Sequence, residues 1–273
     1  MKYPIGIQNF EKIREDGYVY VDKTTLVYDL VTKGKIYILS RPCRFGKSLL
    51  VSTLKAYFQG KRELFKGLAI DSLEQEWREY PVFHVDFNGE DFTQEGVLKR
   101  KIEDAIASWE SVYGSKPNKN TLGDRFVSVL KRAYEQYGRR AVVLIDEYDK
   151  PILDVLDTKL TAEVNGERRL LEDVHREVLK GFYSVFKAAD EYLQFVLLTG
   201  VTKFSQVSIF SGFNQPADIS MDGFATNRGN GVYPALYSRS AKTVPHRCQF
   251  LFRDRNGPRL GCGVIRWRGW NNL

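Results

Sequence analysis

Cysteine, histidine and methionine are scarce in this sequence of 273 residues, and long apolar segments are missing from it. The three cysteines and three histidines are scattered and form no pair at metal-ligand spacing, which argues against a metal centre built from these residues. No apolar stretch approaches the roughly 18 residues of a membrane-spanning helix. Residues 1–5 also lack the apolar core of a secretion signal. We therefore expect a cytoplasmic protein with no membrane partner.

Acidic residues are nearly missing from the C-terminal end. Residues 223–273 contain nine lysines and arginines but only one acid, Asp254. The 222 residues before them carry 32 basic and 33 acidic groups, so the net charge of +7 comes from the terminal segment. The rest of the chain is close to neutral, and the hydrophobic content of 43% is ordinary for a globular protein.

One short basic segment carries the first indication of chemistry. Arg44-Phe45-Gly46-Lys47-Ser48 follows an apolar run of strand length and opens an amphipathic helix. Strand, tight loop and helix in this order are the context of a phosphate-binding loop, in which free backbone N–H groups at the helix start hold phosphate. We expect Lys47 to reach the β- and γ-phosphates of ATP and the Ser48 hydroxyl to bind Mg²⁺.

This loop departs from the full glycine-rich pattern. The pattern has a glycine five residues before Gly46, where this chain has Arg41, followed by Pro42 and Cys43. Gly-Lys-Ser is common by chance, so the loop alone does not establish a site. The residues expected to bind the nucleotide are Arg41, Arg44, Phe45, Gly46, Lys47, Ser48 and Leu49. A solvated loop position is the alternative for the two arginines.

A second segment, residues 142–147, ends in two carboxylates. Four apolar residues precede Asp146 and Glu147, which predicts a buried parallel strand with an acidic tip. Ligands of open α/β sheets bind at that end of the strands. We expect Asp146 to hold Mg²⁺ and Glu147 to act as general base on the attacking water. The alternative is a strand that ends in a solvated acidic turn, because Tyr148 and Asp149 follow.

Apolar runs of strand length alternate with helical patterns over the first 222 residues. The predicted strands are residues 36–39, 82–87, 142–146, 195–199 and 218–221, with one more at 18–21 in a lead-in hairpin. The segments between them have apolar stripes at helical spacing. This alternation predicts an α/β fold, a P-loop NTPase with a parallel sheet of about five strands and helices on both faces.

Four segments of the chain carry a family resemblance: residues 20–24, 39–49, 144–151 and 198–205. Together they resemble the AAA-ATPase-like family, bacterial P-loop ATPases that are often fused to a PD-(D/E)XK nuclease-like domain. The resemblance covers roughly residues 1–222. In that family an Arg-Pro pair commonly replaces the first loop glycine, as here, whereas most members have arginine at the position of Cys43.

The resemblance implies more about the site. It implies an additional-strand sheet in which the strand ending in Thr199 lies between the phosphate-loop strand and the Asp146 strand. A polar residue there, Thr199 or Thr202, would sense the γ-phosphate and help to place the attacking water, and Thr199 is favoured because it lies at the strand tip. The alternative role for either hydroxyl is to cap the following turn. Arg41 and Arg44 become candidates for phosphate contacts, because guanidinium suits bidentate recognition.

The terminal segment does not continue the family pattern, which would proceed to a helical lid and the nuclease-like domain. One interpretation is a basic arm that binds nucleic acid by aromatic stacking. The other, favoured by the abrupt change in composition, is a reading frame shifted near Gly223 that leaves a largely disordered segment. We therefore divide the chain into an AAA-ATPase-like domain at residues 1–222 and a basic irregular tail at residues 223–273.

The sequence thus predicts ATP binding and Mg²⁺-dependent hydrolysis by degenerate Walker A and Walker B motifs. Glu147, Lys47 and Thr199 are the predicted catalytic residues, and Ser48 and Asp146 the predicted metal ligands. Two alternatives stay open: a nucleotide-gated interaction module that does not hydrolyse ATP, and a nucleic-acid-associated protein related to ATPase–nuclease fusions. The oligomeric state and the choice between adenine and guanine are not predicted.

Overall fold

A five-stranded parallel sheet forms the centre of the computed structural model, which describes residues 2–115, 121–202 and 216–220. The strands are β1 (Ile36–Ser40), β2 (Val82–Asp86), β3 (Ala141–Asp146), β4 (Thr161–Val164), β5 (Glu167–Leu170), β6 (Leu193–Gly200) and β7 (Ala217–Asp218). The order across the main sheet is β2-β3-β6-β1-β7, and all of its pairs are parallel. β4 and β5 form a separate antiparallel hairpin.

Helices cover both faces of the main sheet. In the described residues they are α1 (Phe10–Glu15), α2 (Thr24–Lys33), α3 (Lys47–Phe58), α4 (Ala69–Leu73), α5 (Val97–Tyr113), α6 (Leu122–Tyr137), α7 (Lys150–Leu153) and α8 (Leu171–Ala188). Short 3₁₀ turns lie at Arg62–Phe65 and Asp190–Tyr192. None of the helices in the described ranges combines the length and the apolar character needed to cross a membrane.

The alternation of side chains along each strand creates two cores. In β3, Val143 and Ile145 face a core that includes α5, α6 and α8, whereas Val142 and Leu144 face a core that includes α1 to α4. All six residues of β3 are buried, as expected for a parallel strand covered on both faces. This double burial explains why the segment before Asp146 is continuously apolar rather than alternating.

The register brings the carboxyl ends of the strands to one edge. Leu39 of β1 is opposite Thr199 of β6, and Ile145 of β3 is opposite Leu198. β6 therefore lies between β1 and β3, and the predicted position of the strand carrying Thr199 is confirmed. The predicted fold class, a parallel five-stranded α/β sheet with helices on both faces, is confirmed as well.

The prediction of a strand at residues 18–21 is wrong. In the described part of the chain, pairing there is limited to one bridge between Lys2 and Tyr18. The Tyr20 ring packs edge-on against Phe10, with 5.1 Å between ring centroids. Aromatic and β-branched residues favour strands because they pack well on a half-buried surface. Here the contact with a helix provides that surface.

The hairpin formed by β4 and β5 was missed by the sequence analysis. Asn165 and Gly166 connect its strands with positive φ angles of 55° and 83°. Asn-Gly between two strands is the favoured sequence of a two-residue hairpin turn, so a signal was present. It was missed because the flanking residues are polar and mostly exposed.

The fifth strand begins earlier and is shorter than predicted. β7 pairs with β1 only opposite Tyr37 and Ile38. The Ser220 hydroxyl then accepts the hydrogen bond from the N–H of Ser40 at 2.7 Å, in place of a further strand carbonyl. Met221 and the predicted tail at residues 223–273 lie outside the described residues, so the division into two regions stays a prediction.

Candidate active site

The phosphate-loop segment connects β1 to α3. Lys47 is the first residue of α3, and Gly46 is its N-cap residue, with a left-handed φ of 74°. Because Gly46 has no side chain, it cannot cap the first N–H groups of this twelve-residue helix. Arg44 is also left-handed, with a φ of 68°. Free N–H groups at a helix start attract anions such as phosphate, so the local geometry fits a phosphate ligand.

The Lys47 ammonium joins two of the predicted site segments. Lys47 is 4% exposed, and its Nζ lies 3.2 Å from Oε1 of Glu147. The same ammonium donates a hydrogen bond of 3.1 Å to the carbonyl of Arg41. Arg41 in turn donates its backbone N–H to the carbonyl of Gly200 at the end of β6, at 3.0 Å. The tips of β3 and β6 are thus both linked to the phosphate loop.

Asp146 ends β3 as a buried carboxylate that is 2% exposed. Its Oδ1 accepts hydrogen bonds from the Thr199 hydroxyl and, at 3.1 Å, from the backbone N–H of Glu147. Thr199 is itself fully buried within β6. These two donors hold the Asp146 carboxylate in one orientation at the edge of the sheet.

Glu147 lies where the chain leaves the sheet, in a strained backbone conformation. Its φ is 53°, in the left-handed region that non-glycine residues rarely occupy. Burial raises the pKa of the Glu147 carboxyl, the Lys47 ammonium opposes that rise, and the carboxylates of Asp146 and Asp149 add to it. Strained residues cluster at functional sites, where the surrounding structure holds them in place.

The turn after Glu147 is buried, and the alternative of a solvated acidic turn is wrong. Tyr148 and Asp149 are each 1% exposed. Oδ2 of Asp149 accepts hydrogen bonds from the N–H of Val201 at 2.8 Å, and from the N–H and hydroxyl of Thr202 at 2.6 and 2.8 Å. Sequence reasoning missed Asp149 as a site residue, although it belongs to the segment 144–151 that carries the family resemblance.

Comparison with protein families identifies the chain. Residues 4–210 match the model of the AAA-ATPase-like family, described as Predicted AAA-ATPase. The chain belongs to this family. Membership supports a nucleotide-binding ATPase at the level of the family.

One curated protein and one solved structure are similar to parts of this chain. An uncharacterized protein from the vnfD 5′ region of Azotobacter chroococcum mcd 1 is 41% identical over 223 residues, which are 81% of this chain and 41% of that protein. The chain therefore spans about two fifths of that relative's length. The structure of the Aeropyrum pernix ORC1 protein in complex with DNA aligns with 73% of this chain and 43% of its own, at 12% identity and a TM-score of 0.36.

The other predicted loop residues of this AAA-ATPase-like chain lie around the start of α3. Ser48 and Leu49 are half-buried in its first turn, and Leu49 packs against the core beneath the helix. Arg41 and Phe45 are half-buried, and Arg44 is exposed. Their contacts with a nucleotide stay predictions. The structure thus brings Lys47 to Glu147, and Thr199 to Asp146. Among the described residues, no side-chain hydrogen bond or ion pair is seen for Arg41 or Arg44.

The donor set at this edge fits Mg²⁺ bound together with a phosphate ligand. Within the described ranges, no three or more His, Cys, Asp or Glu side chains form a metal-binding group. Mg²⁺ at nucleotide sites usually needs only one or two carboxylates, because phosphates and water complete its shell. A hydroxyl on α3, from Ser48, and a carboxylate at the tip of β3, from Asp146, are of the type that this arrangement uses.

Proposed function

We propose that the chain binds ATP and hydrolyses it with Mg²⁺. The observation that carries the proposal is the buried pair of Lys47 and Glu147, 3.2 Å apart at the carboxyl edge of the sheet. A cation for phosphate and a carboxylate for water must face the same reaction centre, and this edge is where open parallel sheets bind ligands. Membership of a family described as Predicted AAA-ATPase supports the same activity.

Phosphate binding is assigned to Lys47 and to the first N–H groups of α3. Phosphoryl transfer depends mainly on positioning and on neutralising charge, and both groups provide these without covalent chemistry. Ser48 and Asp146 would hold Mg²⁺, which neutralises charge on the β- and γ-phosphates when it is bound. The hydrogen bond from Thr199 keeps the Asp146 carboxylate oriented for this role.

Glu147 is assigned as the general base. The water oxygen forms a bond to the γ-phosphorus, the bond from that phosphorus to the bridging oxygen of ADP breaks, and Glu147 takes a proton from the water. The pKa of Glu147 is raised above that of a free glutamate and is therefore closer to neutral pH. A general base works best when its pKa lies near the pH at which the enzyme operates.

The hydroxyl of Thr199 has one proton, and Asp146 already accepts it. We therefore assign Thr199 to support of the metal-binding carboxylate. A direct hydrogen bond from this hydroxyl to the γ-phosphate would require Thr199 to leave Asp146.

The proposal is tested by comparing wild type with Lys47→Ala. We expect wild type to bind a fluorescent ATP analogue and to release phosphate in the presence of Mg²⁺. Lys47→Ala should lose turnover by a factor on the order of 10² to 10³, as when one transition-state donor is removed. Lys33→Ala is the control, because Lys33 forms an exposed ion pair with Asp29 on α2.

Two results would separate the hypotheses. If wild type binds neither adenine nor guanine triphosphates, the proposed function is wrong. If wild type binds ATP but releases no phosphate, the nucleotide-gated module without hydrolysis replaces it.

A further inference from the structure

The turn after β6 is attached to the ends of two other strands through Thr202. Its N–H and hydroxyl donate to Asp149, in the turn that follows β3. Its carbonyl accepts hydrogen bonds from the Tyr148 hydroxyl at 2.7 Å and from the hydroxyl of Ser40, the last residue of β1, at 3.1 Å. Three strand ends of the proposed ATPase site therefore meet at one residue.

The Asp149 carboxylate is held at short range against this turn. A Cβ at Gly200 would lie 2.7 Å from Oδ1 of Asp149, so the approach requires a glycine. That Oδ1 is buried and has no hydrogen-bond partner in the described part of the chain. Burying a carboxylate with one oxygen unsatisfied is unfavourable, so Asp149 is a costly choice if its role is only to join two loops.

The backbone on the C-terminal side of Glu147 is anchored by hydrogen bonds of the turn to which Asp149 belongs. The N–H of Tyr148 donates to the carbonyl of Thr199 at 2.8 Å, and the N–H of Lys150 donates to the carbonyl of Glu147 at 3.0 Å. On the other side, Asp146 is fixed within the sheet. Glu147 can keep its left-handed conformation because the residues before and after it are both anchored.

We propose that Asp149 is a positioning residue for the hydrolysis reaction, holding Glu147 toward the reaction centre by fixing the turn after β3 to the turn after β6. This inference rests on the proposed ATPase function. It also assigns a positioning role to Thr202, whose N–H and hydroxyl donate hydrogen bonds to the Asp149 carboxylate. Neither residue touches the reacting atoms in this assignment.

The first test compares turnover with binding in Asp149→Asn and Thr202→Val. Asparagine keeps an acceptor for the two N–H groups but loses the charge that strengthens the hydrogen bonds. We expect kcat to fall about tenfold in Asp149→Asn, and about two- to fivefold in Thr202→Val, which loses only the hydroxyl bond. The Kd for a fluorescent ADP analogue should stay within about twofold of wild type.

Glu110→Gln is the matched control. Glu110 accepts hydrogen bonds from Arg125 between α5 and α6, and its side chain is 16% exposed. It lies near the end of α5, which runs back from the site edge of the sheet, so this carboxylate can lose its charge without affecting the site. Its kcat should equal that of wild type.

A second readout separates positioning from a general loss of folding. Turnover is divided by the number of chains that bind nucleotide, so unfolded protein does not count as a loss of kcat. The KM for ATP is measured as well, and a positioning role predicts that kcat falls while KM and the Kd for the ADP analogue stay close to their wild-type values.

The outcomes distinguish the two proposals. If Asp149→Asn and Thr202→Val both have the same kcat per nucleotide-binding chain as wild type, the positioning role is wrong and the ATPase proposal is unaffected. If Asp149→Asn does not fold, Thr202→Val decides: unchanged kcat overturns the inference, and reduced kcat with full binding supports it. Nucleotide binding without phosphate release by wild type would refute the ATPase proposal itself, and the inference with it.

Discussion

Replacing Glu147 with glutamine removes the anion that pairs with Lys47 in the nucleotide-free protein. Because the two groups are 3.2 Å apart and only 3% and 14% exposed, phosphate competes with the Glu147 carboxylate for the Lys47 ammonium. The proposed general base therefore also competes with the substrate. We expect Glu147→Gln to lose hydrolysis and to bind ATP more tightly than wild type.

The size of the affinity change follows from the geometry of the pair. At 3.2 Å and an effective dielectric constant of about 20, the attraction is on the order of 5 kcal/mol. The cost of keeping the two ions of a buried pair away from water offsets most of this attraction, so we expect a net gain of about 1–2 kcal/mol in Glu147→Gln, or about 5- to 30-fold in Kd. Loss of a positioned general base lowers turnover by about 10²- to 10⁴-fold.

The measurement is a titration with a fluorescent ATP analogue and Mg²⁺, combined with a phosphate-release assay on the same samples. The control is Glu110→Gln, because the side chains of Glu110 and Glu147 are similarly buried, at 16% and 14% exposed. Unchanged or weaker ATP binding by Glu147→Gln would refute the competition between Glu147 and phosphate. Unchanged phosphate release would remove Glu147 from the mechanism.

Further predictions concern pH, the support of the metal ligand and the close packing at the end of β6. Glu147 must be ionised to accept a proton, and burial raises its pKa above the ordinary value of a glutamate. We therefore expect kcat to fall as pH decreases through this raised pKa, which a profile of kcat from acidic to neutral pH would detect. Thr199→Val leaves the buried Asp146 carboxylate without its hydroxyl donor, and we expect a loss of about 1–3 kcal/mol in urea unfolding together with weaker Mg²⁺ dependence; unaltered stability and activity would contradict this. Gly200→Ala should destabilise the fold by about 1–3 kcal/mol, because a Cβ there would lie 2.6 Å from a neighbouring side-chain atom. Gly181→Ala on α8 meets no atom within 4 Å and should instead stabilise by about 0.5–1 kcal/mol; a matching loss in both alanine variants would rule out the steric explanation.

The strands and long helices were predictable wherever local pattern and final environment agree. Residues 142–146 are apolar at consecutive positions, and such a run fits a strand that is covered on both faces. Residues 18–21 show the limit of this reasoning, because they form no strand and Tyr20 packs on Phe10 of a helix instead. A pattern of apolar residues indicates that their side chains are buried. Whether their backbone forms hydrogen bonds with another strand depends on which element packs beside it in the folded protein.

Some features of the candidate site likewise follow from the sequence, and others depend on the tertiary structure. The sequence by itself determined the loop at the start of α3 and the acidic tip of β3, because each depends on residues adjacent in the chain. Tertiary structure alone decided that Thr199 donates to Asp146 while Thr202 donates to Asp149, a choice between two nearby hydroxyls that no spacing could make. It also decided that Asp149 is buried rather than solvated. The physical reason is the strand order: β6 lies between β1 and β3, so the turn after β6 covers the turn that follows Glu147 and excludes water from the Asp149 carboxylate.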